Sequence, residues 1–132
     1  MFIQQPFLLA LLDGRKKKEG RMGKTGDALS KKKVGDELFF QTWSLMVWWK
    51  ITRVTKSECQ SHMLEVGGFK SFVPDASTLF EALTVYYLLD PANKESTVSR
   101  QSVWVWDSKI KSDKRTNYYS FEGFARKIKR PV

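Results

Sequence analysis

An α+β fold, with a small and strongly curved sheet that closes or nearly closes into a β-barrel decorated by about three helices, is what the order of sequence patterns predicts. Three observations carry this. The patterns run helix, basic stretch, two strands, two helices, strand, a mixture that segregates helices from a small sheet. A chain of 132 residues suits one hydrophobic core. Apolar residues at 42%, with 14% aromatic, supply enough greasy surface to exclude a disordered chain. The expected organisation is one domain over residues 1–111, followed by a basic, aromatic tail over 112–132.

The elements follow in order. Gln4 to Gly14 places Pro6 in a first turn, then Phe7 to Leu12, then a glycine suited to a left-handed C-terminus, which predicts a short helix. Arg15 to Lys33 holds nine basic residues and no apolar period, so it reads as exposed, part strand and part loop. Turn chemistry at Lys33-Val34-Gly35-Asp36 leads into strands at Glu37–Thr42 and Leu45–Val54, an expected antiparallel pair rich in β-branched and aromatic residues. Ser57 with Gln60 has capping-box spacing, predicting a helix over 57–66 that Gly67-Gly68 stops. Thr78 and Glu81 form a second box, with Leu79, Phe80, Leu83, Tyr86 and Tyr87 at helical spacing and Pro91 as the end. Ser102–Ile110 alternates Val103 and Val105 against Trp104 and Trp106 and reads as a strand.

Composition narrows the chemistry. With one cysteine, Cys59, and one histidine, His62, no internal disulfide and no His/Cys metal cage can be assembled, and no metal or cofactor is expected. The apolar run Phe7 to Leu12 is too short to span a bilayer and lacks the flanks of a secretory signal, so an intracellular protein, cytoplasmic or nuclear, is expected. Lys and Arg number 23 against 14 acids, a formal charge of +9, which points to a polyanionic partner. From Lys109 to Arg130 stand eight basic residues and four aromatics, a composition suited to a phosphate-tracking arm, a nuclear import signal or a plain solubilising terminus, with a protein contact or packing back on the barrel as further readings.

If Lys18 to Arg21 is extended, Glu19 and Arg21 point to one face and can pair. Lys16 reaches that face only if the chain bends after the first helix. On charge pattern alone the bland reading leads: a structural ion pair at the barrel rim, with Lys16 to Lys18 solvated. Of the five tryptophans most should be core. Trp48 and Trp49 face opposite ways on a strand, so one of them, Trp49 being the candidate, is expected to stack on a base or partner.

Several segments, in order, resemble the ASCH domain, a relative of the PUA-like RNA-binding barrels. Gly14-Arg15-Lys16-Lys17-Lys18-Glu19-Gly20-Arg21 matches G-x-K-x-x-E-x-R. Val34 to Phe40 resembles x-G-D-x-L-x-F, and Trp49 to Val54 the strand after it. Ser57 to Gly68, with His62-Met63-Leu64-Glu65, is similar to the S-F-x-x-M-L-x-x-x-G helix, and Pro74-Asp75-Ala76-Ser77 through Tyr86-Tyr87 to the P-x-A-x-S…V-Y segment. The resemblance covers about residues 2–110. It implies a PUA-like barrel whose basic cleft takes RNA or a modified nucleoside, with Lys16, Glu19 and Arg21 at the centre and Lys18 and Trp49 as further contacts.

The same resemblance implies an alternative, a small hydrolase acting on an acylated cytidine or on RNA, with Lys16, Glu19 and Glu65 as candidate catalytic residues. The amidohydrolase members carry a Thr nucleophile where this chain has Glu19 and an acid near the place of Gly67, two departures that weigh against that reaction. Glu65 could serve as a base only for water-mediated hydrolysis. His62 reads as a surface or packed residue rather than a base, and Cys59 as a small buried hydrophobe rather than a nucleophile.

Overall fold

The computed structural model describes residues 3–22, 29–93, 96–112 and 118–130. Helix α1 (Gln5–Leu12) leads into β1 (Lys18–Met22), followed by β2 (Glu37–Gln41) and the long β3 (Met46–Ser57). Three helices come next: α2 (Gln60–Gly67), the single turn α3 (Phe69–Phe72) and α4 (Leu79–Leu89), then a 3₁₀ turn (Pro91–Asn93). Helix α5 (Arg100–Ser112) and strand β4 (Tyr118–Lys129) complete the described elements. All pairings are antiparallel, in the order β1-β4-β3-β2, and the sheet curls into a half-barrel. Register shifts between Trp48 and Trp49 and between Ile51 and Arg53 supply local bends to the longest pairing, β3 with β4.

Two apolar clusters hold the fold. Leu8 and Leu11 of α1 pack on one face of the sheet, meeting Leu38, Phe40, Val47, Trp49, Ile51 and Phe121. The second cluster joins Met63 and Leu64 of α2, Phe72 of α3, Leu83, Tyr86 and Tyr87 of α4, Val103 of α5 and Tyr118 of β4. Lys16, Glu19 and Gln60 are buried polar residues, each no more than 5% exposed.

The α+β class, the β2–β3 pair and the helix capped by Thr78 agree with the sequence reading; Thr78 Oγ1 accepts from the Glu81 amide at 3.1 Å. Other expectations are corrected. Ser102–Ile110 lies within a helix, since its buried residues Val103 and Asp107 recur at helical spacing while Trp104 and Val105 stand exposed. Ser57 ends β3 instead of capping α2, which starts at Gln60 without a side-chain cap from Cys59. Five α-helices rather than about three are present among the described residues. The supposed tail is no appendage: β4 sits inside the sheet between β1 and β3, so the domain does not end at residue 111. Part of the basic stretch, residues 23–28, lies outside the described residues, as does the start of the tail, residues 113–117. Among the described residues no helix is long and apolar enough to cross a membrane.

Candidate binding pocket

The bend that brings Lys16 inward is local. Gly14, just past the Asp13 C-cap of α1, adopts φ +82°, a conformation that favours glycine. The Lys16 amide then donates to Ala10 O at 2.9 Å and the Lys17 amide to Ser71 O at 2.9 Å, which fixes the chain before β1 begins. The Lys16 side chain runs between the rings of Phe7 and Phe72, with Nζ 5.6 and 5.9 Å from their centroids. Its ammonium donates to Lys18 O at 2.8 Å and Phe72 O at 2.6 Å, and stands 3.6 Å from Glu19 Oε1. Burial pushes the Lys16 pKa below the ordinary lysine range, and the charge of Glu19 opposes that shift.

Alternation along β1 sends Glu19 and Arg21 to one side, as the two-residue spacing requires. Glu19 Oε1 accepts from the Gly20 amide at 3.0 Å, and Oε2 stands 3.6 Å from Arg21 Nη2. Lys16, Glu19 and Arg21 thus form one charged row of decreasing burial, with Arg21 at 24% side-chain exposure as its outer end. Gly20 between them lets the end of the Met63 side chain come close: a Cβ there would meet Met63 Cε at 2.5 Å and Sδ at 2.6 Å, so that thioether would have to move.

This row lines a pocket of about 240 Å³, whose apolar wall includes Phe7, Phe72, Val73 and Leu89 and whose other polar groups include Gln60 and Tyr86. Burial raises the Tyr86 pKa well above the usual phenol value, with Glu19 adding to the effect, so its hydroxyl stays protonated. A cation, a carboxylate, an amide and a phenol facing a partly aromatic wall can hold a small planar polar ligand by edge hydrogen bonds and face contacts. The space is smaller than the ~300–1,000 Å³ of sites for drug-sized molecules, and suits a single small ring.

The remaining candidates fall elsewhere. Lys18 turns to the opposite side of β1, donates to Gly67 O at 2.7 Å, and borders a smaller pocket of about 90 Å³ with Arg53, Thr55 and Ser57. Gly67 is beside that smaller pocket too, against the Phe72 ring. Trp49 is corrected outright. It is 1% exposed, packs edge-on against Phe40, and cannot stack on a ligand. Its neighbour Trp48 takes the outward face, tilted against Phe39 with Lys127 Nζ 5.1 Å over its ring. Glu65 and His62 are exposed on α2 and neither lines the pocket, so Glu65 is not placed to act beside Lys16. Cys59 is buried with its Sγ 3.3 Å from Ser61 Oγ. Gln60 has the spacing of a capping residue and Tyr86 lies on the apolar stripe of a helix, so the sequence offers no signal that both line one pocket with Glu19.

No protein-family model and no curated protein matches the sequence. Among solved structures, the chain is similar to the crystal structure of hypothetical protein PH0355, with a TM-score of 0.68, 21% identity and 96% of each chain covered. It is also similar to the solution NMR structure of protein PF0455 from Pyrococcus furiosus, with a TM-score of 0.57, 21% identity, and 95% of this chain and 94% of that one covered. At this identity the likeness establishes a shared fold over nearly the whole length of each chain.

Proposed function

We propose that the chain is an ASCH-like, PUA-related module that binds RNA or a modified nucleoside by taking one base into the pocket beside Lys16, Glu19 and Arg21. The observation that carries this reading is the convergence of those three side chains on one open pocket with an aromatic wall. Arg21, at the outer end, is suited to a base carbonyl or a phosphate, and Glu19 to an N–H edge. Lys16, deep and tethered to two carbonyls, holds Glu19 in place and balances its charge. The formal charge of +9 adds attraction for a phosphate backbone outside the pocket.

The test is binding of single-stranded and duplex RNA over a salt series. Affinity should fall steeply with salt, favour the single strand, and drop about tenfold or more in Arg21→Ala, the worth of a charge-assisted contact. Salt-independent affinity, or affinity untouched by Arg21→Ala, contradicts the reading. Hydrolysis is the second reading, favoured by a buried amine of lowered pKa beside a carboxylate. Turnover of an acylated cytidine or a short RNA that is lost in Glu19→Gln supports it, and absence of turnover by the unaltered chain ends it for those substrates.

A further inference from the structure

The register of the sheet orders the charges beside the pocket. Residues directly opposite each other on neighbouring strands share a face, so each row across β1, β4 and β3 has its own chemistry. On one face Lys18 lies opposite Glu122 and Glu122 opposite Arg53, an acid between two cations. The face toward α1 differs. There Glu19, Phe121 and Val54 make one row, with Phe121 packed among Leu8 and Leu11. In the next row Arg21 lies opposite Tyr119 and Tyr119 opposite Lys56, so an aromatic ring stands where the other face has its acid. Arg21 lines the pocket with 24% of its side chain exposed, Tyr119 is half-buried against the α1 cluster, and Lys56 is exposed. The two cations stand two strand spacings apart, about 10 Å between backbones.

We propose that this row is the path along which single-stranded RNA leaves the pocket, with Tyr119 carrying the base next to the pocketed one and Lys56 binding a phosphate of that nucleotide. The inference rests on the nucleobase reading above and adds the course of the chain outside the pocket: across the strands, from β1 to β3. An RNA strand offers regularly spaced phosphates to separated cations, and every base has a face to set on an aromatic ring. Neither contact reads a base edge. The path therefore adds affinity without adding a choice of sequence.

The experiment titrates the full chain with a mixed-sequence pool of single-stranded RNA hexamers over a salt series, below the melting temperature of every variant. Lys56→Ala should weaken binding severalfold and lower the slope of log affinity against log salt by about 0.7, the share of one phosphate on a single strand. Lys56→Arg should keep both. Lys127→Ala removes the same charge from the outward surface beside Trp48 and should leave the slope nearly unchanged. Tyr119→Leu should weaken binding about fivefold or more, whereas Tyr119→Phe keeps the ring and with it the affinity. A slope unmoved by Lys56→Ala, or moved as far by Lys127→Ala, overturns the path, and so does a Tyr119→Leu variant that binds like the unaltered chain. Arg21→Ala separates these failures from failure of the pocket. If it weakens hexamer binding while Lys56→Ala does not, only the path is lost; if it changes nothing, or the hexamers do not bind, the nucleobase reading falls and the path with it.

Discussion

Glu19 is the residue on which the pocket's charge balance turns, because it faces Lys16 from one oxygen and Arg21 from the other. Replacing it by glutamine leaves the Lys16 ammonium buried without its counter-charge, a change that costs about 3 kcal/mol in comparable sites. Chemical denaturation of Glu19→Gln should show that loss, and the double change with Lys16→Met should recover part of it. A single variant as stable as the parent would mean that Lys16 is neutral or solvated. Tyr86 and Tyr118 give a second residue-level expectation, since burial raises both phenol pKa values. In the unfolded chain they ionise near pH 10, while the folded chain keeps their protons, so stability falls as pH climbs past about 10. Lys16, shifted downward, has the opposite sign and adds stability as pH approaches 10.5. Urea midpoints from pH 8 to 11 should decline above 10, and more shallowly in Tyr118→Phe; an identical decline in that variant contradicts the assignment. Glu19 and Arg21 are legible as a pair because a spacing of two on a strand forces a shared face, whereas Lys16, outside β1, joins them only through the bend after α1. The burial of Trp49 is not legible, because alternation says only that it and Trp48 face opposite ways, not which of them meets the core.

At the scale of elements, α5 shows why a short apolar pattern is ambiguous. Val103, Trp104, Val105 and Trp106 alternate as a strand would, yet Val103, Trp106, Asp107 and Ile110 also make one helical stripe, and the helices beside it decide the matter. Asp107 gives that stripe a polar function. It is 4% exposed, and its carboxylate accepts from the Ser61 amide at 3.2 Å and from Ser61 Oγ at 2.5 Å, supplying α2 with an N-terminal partner that Cys59 does not. Asp107→Ala should lower stability by about 2 kcal/mol, the worth of a charged acceptor at a helix start, and should loosen the α2 wall that carries Gln60. Hydrogen exchange would locate the effect. Protection lost at α5 alone, with α2 unchanged, would count against the capping role. No sequence spacing announces a cap contributed from 46 residues away, and the local Ser57–Gln60 pattern, which did suggest one, is not used.

The whole molecule depends on its last strand. β4 lies between β1 and β3 and carries Phe121 into one apolar cluster and Tyr118 into the other. A chain stopped after Ser112 should therefore fail to fold, giving no cooperative thermal transition, whereas a domain ending at residue 111 would melt as the full chain does. The density of basic residues from Lys109 to Arg130 hid this strand, since charge on its outward positions reads like a solvated arm until its partners are known. The same sheet presents a second surface, where Phe39, Trp48 and Lys127 stack away from the pocket. Ligand binding is expected at the pocket and not at that surface. Backbone amide NMR during titration with a single-stranded RNA oligonucleotide decides between them. The largest shifts are expected at Glu19, Gly20, Arg21 and Gln60, with Phe39, Trp48 and Lys127 little moved. Shifts concentrated on Phe39, Trp48 and Lys127, with the pocket amides still, would contradict it.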